Sequence, residues 1–452
     1  SVGLYEIFAG ARCTMKSKVL ASGTIEKLSH DGRGIARIEG KTTFVAGALA
    51  GETVTFEYTR RKRDFDEARV VSVEVASSQR AEPRCPHYGV CGGCSLQHLE
   101  ENAQIHEKEA QMLDMLTRIG HINTKEILPA LVDNNHWNYR NRARLSVNYV
   151  PKKNRVLVGF REKYHPRYVA DIQQCHILNQ RVGDALLDLS ALIGAMDNPR
   201  IFPQIEVSAG DEVIALVFRH MEALSEADKA RFRAFSDSAG FQIFLQPAGM
   251  DSIQLFYPED AEPLSYNLPE QDIKLIFYPT DFTQVNARLN RAMVTQAIEL
   301  LVLTPDDIVL DLFCGLGNFS LPMARSCARV IGVEGADVMV SRASDNAALN
   351  QIKNTQFLCA NLDDENALSA LKAHGANKVL LDPPRTGALE IVKHIEHINP
   401  EVIVYVSCNP ATFARDAAVL VDEKGYTLQK AGVMDMFPHT THVETMGLFV
   451  KN

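Results

Sequence analysis

Ile308-Val309-Leu310-Asp311-Leu312 is a short, nearly continuous apolar run. It stops at a glycine turn, Cys314-Gly315-Leu316-Gly317, before the pattern becomes helical at Asn318-Phe319-Ser320. No other stretch narrows the possible folds as much. A run of this length without polar alternation is a strand covered on both faces. A strand that breaks on glycine and feeds a helix opens a β–α unit. Further buried-strand candidates follow at 330–333, 355–358, 379–381 and 402–406, with helical stretches between them. Strand and helix in alternation predict a doubly wound, mostly parallel sheet. Residues 281–452 are therefore expected to form an α/β domain of the Rossmann-like kind.

Such sheets collect ligands at the carboxyl ends of their strands, and several polar residues fall there. The glycines of the turn let the backbone come close to a ligand. The third glycine of a dinucleotide fingerprint is missing, because Ser320 takes its place; this argues against a pyrophosphate-bearing cofactor. Glu334 ends the second strand, nineteen residues after Gly315, where a carboxylate can accept hydrogen bonds from ribose hydroxyls. Asn361 follows the third strand and Asp382-Pro383-Pro384-Arg385 the fourth. A turn with no phosphate cradle, followed by a ribose acid, fits S-adenosylmethionine better than a dinucleotide.

The next strand leads into Ser407-Cys408-Asn409-Pro410. Asn409-Pro410 forces a turn, so Cys408 is expected on the same edge as the cofactor residues. A lone cysteine is most often a small buried hydrophobe, and Cys13, Cys314, Cys327 and Cys359 are read that way. Proximity to a methyl-donor site makes Cys408 a candidate nucleophile instead. A partner base is sought in 435–445, where Glu444 enters the last strand at 446–450. Four other cysteines have a different pattern. Cys85, Cys91 and Cys94 are spaced C-x5-C-x2-C in a glycine-bearing loop, and Cys175, followed by His176, is the candidate for a distant fourth ligand. The spacing admits zinc or an iron–sulfur cluster. Nine cysteines, an odd number in a chain of 452, do not read as a disulfide framework.

The N-terminal half has another texture. Residues 1–17 are expected to be an extension, since Met15 is the first methionine. Residues 18–77 hold five short alternating runs separated by glycine turns, which predicts a small OB-like barrel, with Arg60-Arg61-Lys62-Arg63 as a basic loop. Residues 78–280 read as a mixed α+β domain with helices near 100–119 and 222–240. In Trp137-Asn138-Tyr139-Arg140-Asn141-Arg142-Ala143-Arg144, alternation would set three arginines on one strand face for phosphates, with an aromatic to stack on a base. A net charge of −9 does not announce nucleic acid, but binding follows local patches. No apolar run is long enough to span a membrane, and the first residues have no leader pattern. A cytoplasmic monomer that avoids membranes is expected.

Asp311-Leu312-Phe313-Cys314-Gly315, Asp382-Pro383-Pro384-Arg385, Ser407-Cys408-Asn409-Pro410 and His442-Val443-Glu444 resemble the motif set of the bacterial RNA uracil-5 methyltransferases. The match is closest to the 23S ribosomal RNA branch with an N-terminal TRAM barrel, and it runs from about residue 18 to the end. The resemblance implies that Cys408 is the nucleophile and Glu444 the proton-removing base. It implies that Gln284, Phe313, Asn318, Glu334, Asn361 and Asp382 bind S-adenosylmethionine, and that Cys85, Cys91, Cys94 and Cys175 hold a [4Fe–4S] cluster. The implied substrate is a loop or single-stranded segment of 23S ribosomal RNA, at the uridine numbered 1939 in the reference. The catalytic half is shared with tRNA-directed relatives, so the barrel is what points to ribosomal RNA. A thiolate meets a chemical need here: carbon 5 of uracil attacks a methyl group only after addition at carbon 6 makes it electron-rich. Three rival readings are methylation of another rRNA uridine or a tRNA, methylation of an exocyclic amine, and a non-catalytic RNA-binding or assembly factor.

Overall fold

A computed structural model describes residues 20–452. The expected extension at 1–17, with Cys13, and the first two residues of the barrel region lie outside that range. By its internal contacts the chain divides into two units after Glu82.

In the first unit, period-two alternation produces the strands Leu20–Thr24, Lys27–Leu28, Gly34–Ile38, Lys41–Ala46, Thr53–Arg61 and Phe65–Val75. Leu20–Thr24 and Lys27–Leu28 lie at opposite ends of the sheet order. Only Ile25 and Glu26 separate them in sequence, so the sheet curls back on itself as an OB-like barrel. Ile25, Val45, Val54, Phe56 and Ala68 fill its interior. The chain between these two strands turns where Ile25 enters the core. The basic loop expected at 60–63 is corrected. Arg60 and Arg61 finish a strand, Arg61 lies 3.6 Å from Asp66, and Lys62 pairs with Glu67 at 3.3 Å. Part of that positive charge is therefore already neutralised. Buried Glu52 accepts bonds from Arg80, Leu49 N–H and Ser77 N–H, which ties the segment leaving the barrel back onto it.

The second unit contains an eight-stranded sheet in the order Thr355–Cys359, Arg329–Glu334, Ile308–Leu312, Lys378–Leu381, Val402–Ser407, Glu444–Lys451, Tyr426–Met434, Glu126–Ile127. The first five strands are parallel, and Glu444–Lys451 runs antiparallel between its neighbours. Helices Ala287–Leu301 and Asp337–Leu349 cover one face, while Leu389–Lys393, Pro410–Ala418 and Glu101–Met115 cover the other. This is the doubly wound fold expected. Burying a side chain such as Phe413 or Phe449 contributes about 1.5–3 kcal/mol.

Helix Glu101–Met115 carries Gln104, Ile105, Lys108 and Met112 on one buried stripe, the three-to-four spacing of a helix face. It packs on Pro410–Ala418 and Tyr426–Met434, and the chain beyond it adds Glu126–Ile127 to the sheet edge. These residues precede the central sheet in sequence yet surround the C-terminal one in space. The central sheet has six strands, with Gln204–Ala209 between Ile214–Arg219 and Arg142–Val150. Helices Leu186–Gly194 and Glu226–Ala239 complete its core around Phe218 and Phe232. Glu226–Ala239 starts where the Ser225 side chain accepts from Asp228 N–H and stops at Gly240, φ 70°, close to the helix expected from sequence. Among the described residues, no helix is long and apolar enough to cross a membrane.

Candidate active site

Strand order reverses direction between Ile308–Leu312 and Lys378–Leu381, which opens a crevice at their carboxyl ends. The turn after Ile308–Leu312 holds Phe313, Gly315 and Gly317 at φ 67°, 54° and 97°, a conformation that glycine adopts without strain. Glu334 braces this turn: its carboxylate accepts from Gly315 N–H at 3.1 Å and Gly335 N–H at 2.8 Å. Asn318 is held from behind, accepting from Tyr266 Oη at 2.8 Å and exchanging two 2.9 Å bonds with Asn290. Asp382 leaves the end of Lys378–Leu381, exposed Asn361 follows Thr355–Cys359, and half-buried Gln284 precedes Ala287–Leu301. All six cofactor candidates therefore lie in the strand-end loops or in the segment entering helix Ala287–Leu301.

Cys408 and Glu444 are brought together by strand register. Ser407 pairs with Thr445 across antiparallel strands, which sets Cys408 and Glu444 beside that pair, close enough for the charge of Glu444 to act on the thiol. Asn409 caps helix Pro410–Ala418 by accepting from Ala411 N–H, and its amide donates to the Arg385 carbonyl at 3.1 Å. The Cys408 thiol is therefore fixed between the last parallel strand and a helix start. Burial, with Glu444 and Asp382 nearby, pushes this thiol up to about 11. Burial, then Asp382, pushes Glu444 up to about 8. Asp382 rises to about 7 through burial. Asp311 rises to about 7 through burial and the charges of Asp382 and Glu334, even though Ser320 donates to it. Three acids resist ionisation in one crevice even though Arg385 and Lys108 favour the charged form of Glu444, so further positive charge is favoured there, which suits a cationic ligand such as a sulfonium.

Residues 435–443, which lead into Glu444, are held from three directions. Lys108 makes a buried ion pair with Asp435 at 2.6 Å and donates to the Phe437 carbonyl at 3.0 Å. Gln104 accepts from His439 N–H at 2.7 Å, while Ser95 N–H and Leu96 N–H donate to the His439 carbonyl at 2.9 and 3.0 Å. Trp137 stacks on the His439 ring at 3.8 Å, and Tyr139 Oη donates to the Pro438 carbonyl. Arg385 reaches His442 at 2.9 Å. Sequence reasoning missed Lys108, Gln104 and His439. The available signal was two polar residues on the apolar stripe of a helix.

The same contacts correct the proposed RNA face at 137–144. Trp137 lies between His439 and Arg84, and Tyr139 is only 2% exposed, so neither presents a face for base stacking. Arg140 packs over Phe160, Arg142 donates to the carbonyls of Asp281 and Pro279, and Arg144 pairs with Glu206. The three arginines have separate structural partners and do not form a bare phosphate-binding row.

Cys85, Cys91, Cys94 and Cys175 line one pocket walled by Phe160, Ile172 and Ile177, with His176 at its margin. None of the four is in a disulfide. Gly93 N–H points at Cys91 Sγ at 3.4 Å, and backbone N–H groups of Ile177 and Leu178 bond Cys175. Amides aimed at sulfur support thiolates, the ligating form. Burial and mutual repulsion push Cys91 up to about 11 and Cys94 to about 12. Four thiols lining one pocket, with amides aimed at two of the sulfurs and no lysine or arginine in its lining, fit a thiolate-bound metal centre.

Comparison with known proteins bears on the family and the fold. The tRNA (Uracil-5-)-methyltransferase family model matches residues 100–452, and the TRAM domain model matches residues 24–71. A Legionella pneumophila protein named 23S rRNA (uracil(1939)-C(5))-methyltransferase RlmD is 55% identical over 428 residues, covering 94% of this chain and 96% of its own. A Xanthomonas axonopodis pv. citri protein of the same name is 51% identical over 430 residues, covering 94% and 96%. The crystal structure of Pyrococcus abyssi tRNA (uracil-54, C5)-methyltransferase shares the fold, with a TM-score of 0.71, 24% identity, and coverage of 95% of this chain and 100% of that one. With matches that span both the barrel and the catalytic sheet, the chain belongs to the 23S ribosomal RNA (uracil-5-)-methyltransferase family, in the form that carries a TRAM domain.

Proposed function

We propose that the protein methylates carbon 5 of a uridine in 23S ribosomal RNA, the one numbered 1939 in its relatives' names, working as a cytoplasmic monomer. The observation that carries the reading is the mutual influence of the Cys408, Glu444 and Asp382 charges beside the paired Ser407 and Thr445, at the carboxyl ends of the strands where Glu334 braces the glycine turn. S-adenosylmethionine supplies the methyl group. The candidates to hold it are Gln284, Phe313, Asn318, Glu334, Asn361 and Asp382. Cys408, as thiolate, adds to carbon 6 of the uracil and makes carbon 5 nucleophilic. After transfer, Glu444 takes the carbon-5 proton, the carbon–sulfur bond breaks, and the thiolate is restored. Arg385, whose charge favours ionisation of both Cys408 and Glu444, eases each deprotonation. The target base must leave its stack to reach Cys408, which favours a loop segment. The relatives of 51–55% identity named for 23S rRNA favour ribosomal RNA over tRNA; the barrel alone does not decide, since a tRNA enzyme matches 95% of this chain.

A test uses a 23S fragment with 5-fluorouridine at the target. Fluorine cannot leave as a cation, so the adduct should persist through denaturation in the native enzyme and vanish in Cys408→Ser. An adduct in Cys408→Ser would remove Cys408 as nucleophile. Transfer to tRNA but not to the rRNA fragment would overturn the substrate. We also propose that Cys85, Cys91, Cys94 and Cys175 bind a [4Fe–4S] cluster with a structural role, since the reaction needs no electron. Protein purified without oxygen should be brown, with absorbance near roughly 400 nm; colourless protein with one zinc per chain would contradict the iron assignment.

A further inference from the structure

Three metal-type donors converge away from both the crevice and the cysteine pocket. Glu365 starts helix Glu365–Leu371, His394 follows helix Leu389–Lys393, and His397 ends the turn Ile395–His397. Their ligating atoms all lie within 4.8 Å of one another. Glu365 Oε1 is 3.6 Å from His394 Nδ1 and 3.5 Å from His397 Nε2. Those distances are too long for hydrogen bonds, which close at about 2.7–3.2 Å. They are close to the spacing of two ligands on one tetrahedral ion, roughly 3.3 Å for bonds of about 2.0–2.1 Å.

A second observation points the same way. His397 Nε2 is shielded from solvent and has no hydrogen-bond partner, although a buried ring nitrogen normally finds one. The two imidazoles are nearly parallel, 6° apart with centroids at 5.8 Å. Their three-residue spacing on a tight turn puts both on one face. Lys393 and Lys424, the cations nearby in sequence and space, are engaged by Glu390 and Glu396. Among the described residues, no cation other than the histidines themselves is paired with Glu365 in this cluster.

We infer that Glu365, His394 and His397 form a binding site for a borderline divalent cation of the zinc class, with solvent completing its coordination. Two imidazoles and one carboxylate favour Zn2+, Ni2+ or Co2+ over Mg2+ or Ca2+, which prefer oxygen-only shells. Glu365 lies four residues beyond Asn361, and His394 follows the loop that Asp382 opens. A bound ion would join segments that follow two of the cofactor loops in sequence. That consequence rests on the methyl-donor reading; the ion site itself does not.

Calorimetric titration of the metal-free surface site, in protein whose cysteine pocket is loaded, should detect one Zn2+ with affinity at least about tenfold above Mg2+. His394→Ala with His397→Ala should lose that binding by roughly 100-fold or more, and Glu365→Gln should weaken it, with thermal unfolding in chelator unchanged. Co2+ should give weak visible bands without intense sulfur-to-metal absorption. Zn2+ binding unaltered by the double substitution, no Zn2+ binding at all, equal affinity for Mg2+, or a thiolate-type Co2+ spectrum would each overturn the site. None of these outcomes depends on methyl transfer, so the site can fail while the methyltransferase reading stands.

Discussion

Glu444→Gln is expected to leave the enzyme joined to its RNA. Uridine RNA and S-adenosylmethionine should give a methylated adduct that survives denaturation, whereas the native enzyme releases its product. Steady-state turnover should fall by about 10²- to 10⁴-fold, the usual contribution of a positioned base. The reason lies in the separation of tasks. Cys408 is untouched by the change, so addition and methyl transfer proceed; glutamine has no basic site for the carbon-5 proton, so elimination stalls. The substitution also removes a buried carboxyl that burial and Asp382 already hold away from ionisation. The variant should therefore be at least as stable as the parent, and lost turnover could not be blamed on unfolding. Low turnover with no accumulated adduct would move the base elsewhere.

The same groups set the pH dependence. Glu444 acts as a base only when ionised, and its carboxyl sits up at about 8; the Cys408 thiol sits at about 11 and attacks only as thiolate. Both shifts reduce the competent form below those values, so both act in the same direction. The single-turnover rate should rise from about pH 6 to about pH 9, and a rate falling over that range would contradict the assignment. Binding of a sulfonium beside Asp382 and Glu444 should lower their proton affinity. Cofactor binding near pH 7.5, chosen as roughly midway between these groups, should then release protons, which titration in buffers of different ionisation enthalpy would register.

Much of this architecture was readable because its signals are local. Ile308–Leu312 and its glycine turn carry their own instructions: an apolar run, a backbone that needs positive φ, and a helix start. Cys408 could be placed at the ligand edge because Asn409-Pro410 ends the strand behind it. The arrangement that holds residues 435–443 was not readable, because Gln104 and His439 are 335 residues apart in sequence. Trp137 and Tyr139 illustrate the cost of that gap. Aromatic residues among arginines form a surface pattern for RNA, but their partners, His439 and Pro438, belong to a distant segment that stacks on Trp137 and buries Tyr139. The fourth cysteine, Cys175, also joins Cys85, Cys91 and Cys94 only through the fold; spacing alone marked it as available.

Lys108→Met should cost both stability and catalysis, and the two losses should separate. Lys108 and Asp435 are 1% and 2% exposed and lie 2.6 Å apart. Burial pulls the ammonium of Lys108 down while Asp435 holds it charged. Removing one partner of a buried pair leaves the other uncompensated, at about 3–5 kcal/mol, readable as a lower denaturation midpoint. Adding Asp435→Asn removes the orphaned charge and should restore much of that loss; the coupling between the two sites is what a double-mutant cycle measures. Catalysis should not recover in parallel. Lys108 also donates to the Phe437 carbonyl, so the double variant regains stability without regaining the fixed path from Asp435 to Glu444. If that path positions the base, the double variant should fold, form the adduct at a near-native rate, and resolve it roughly ten- to a hundredfold more slowly. Recovery of both stability and release would reduce Lys108 to a packing residue. Loss of adduct formation itself would mean that the clamp serves Cys408 and not Glu444.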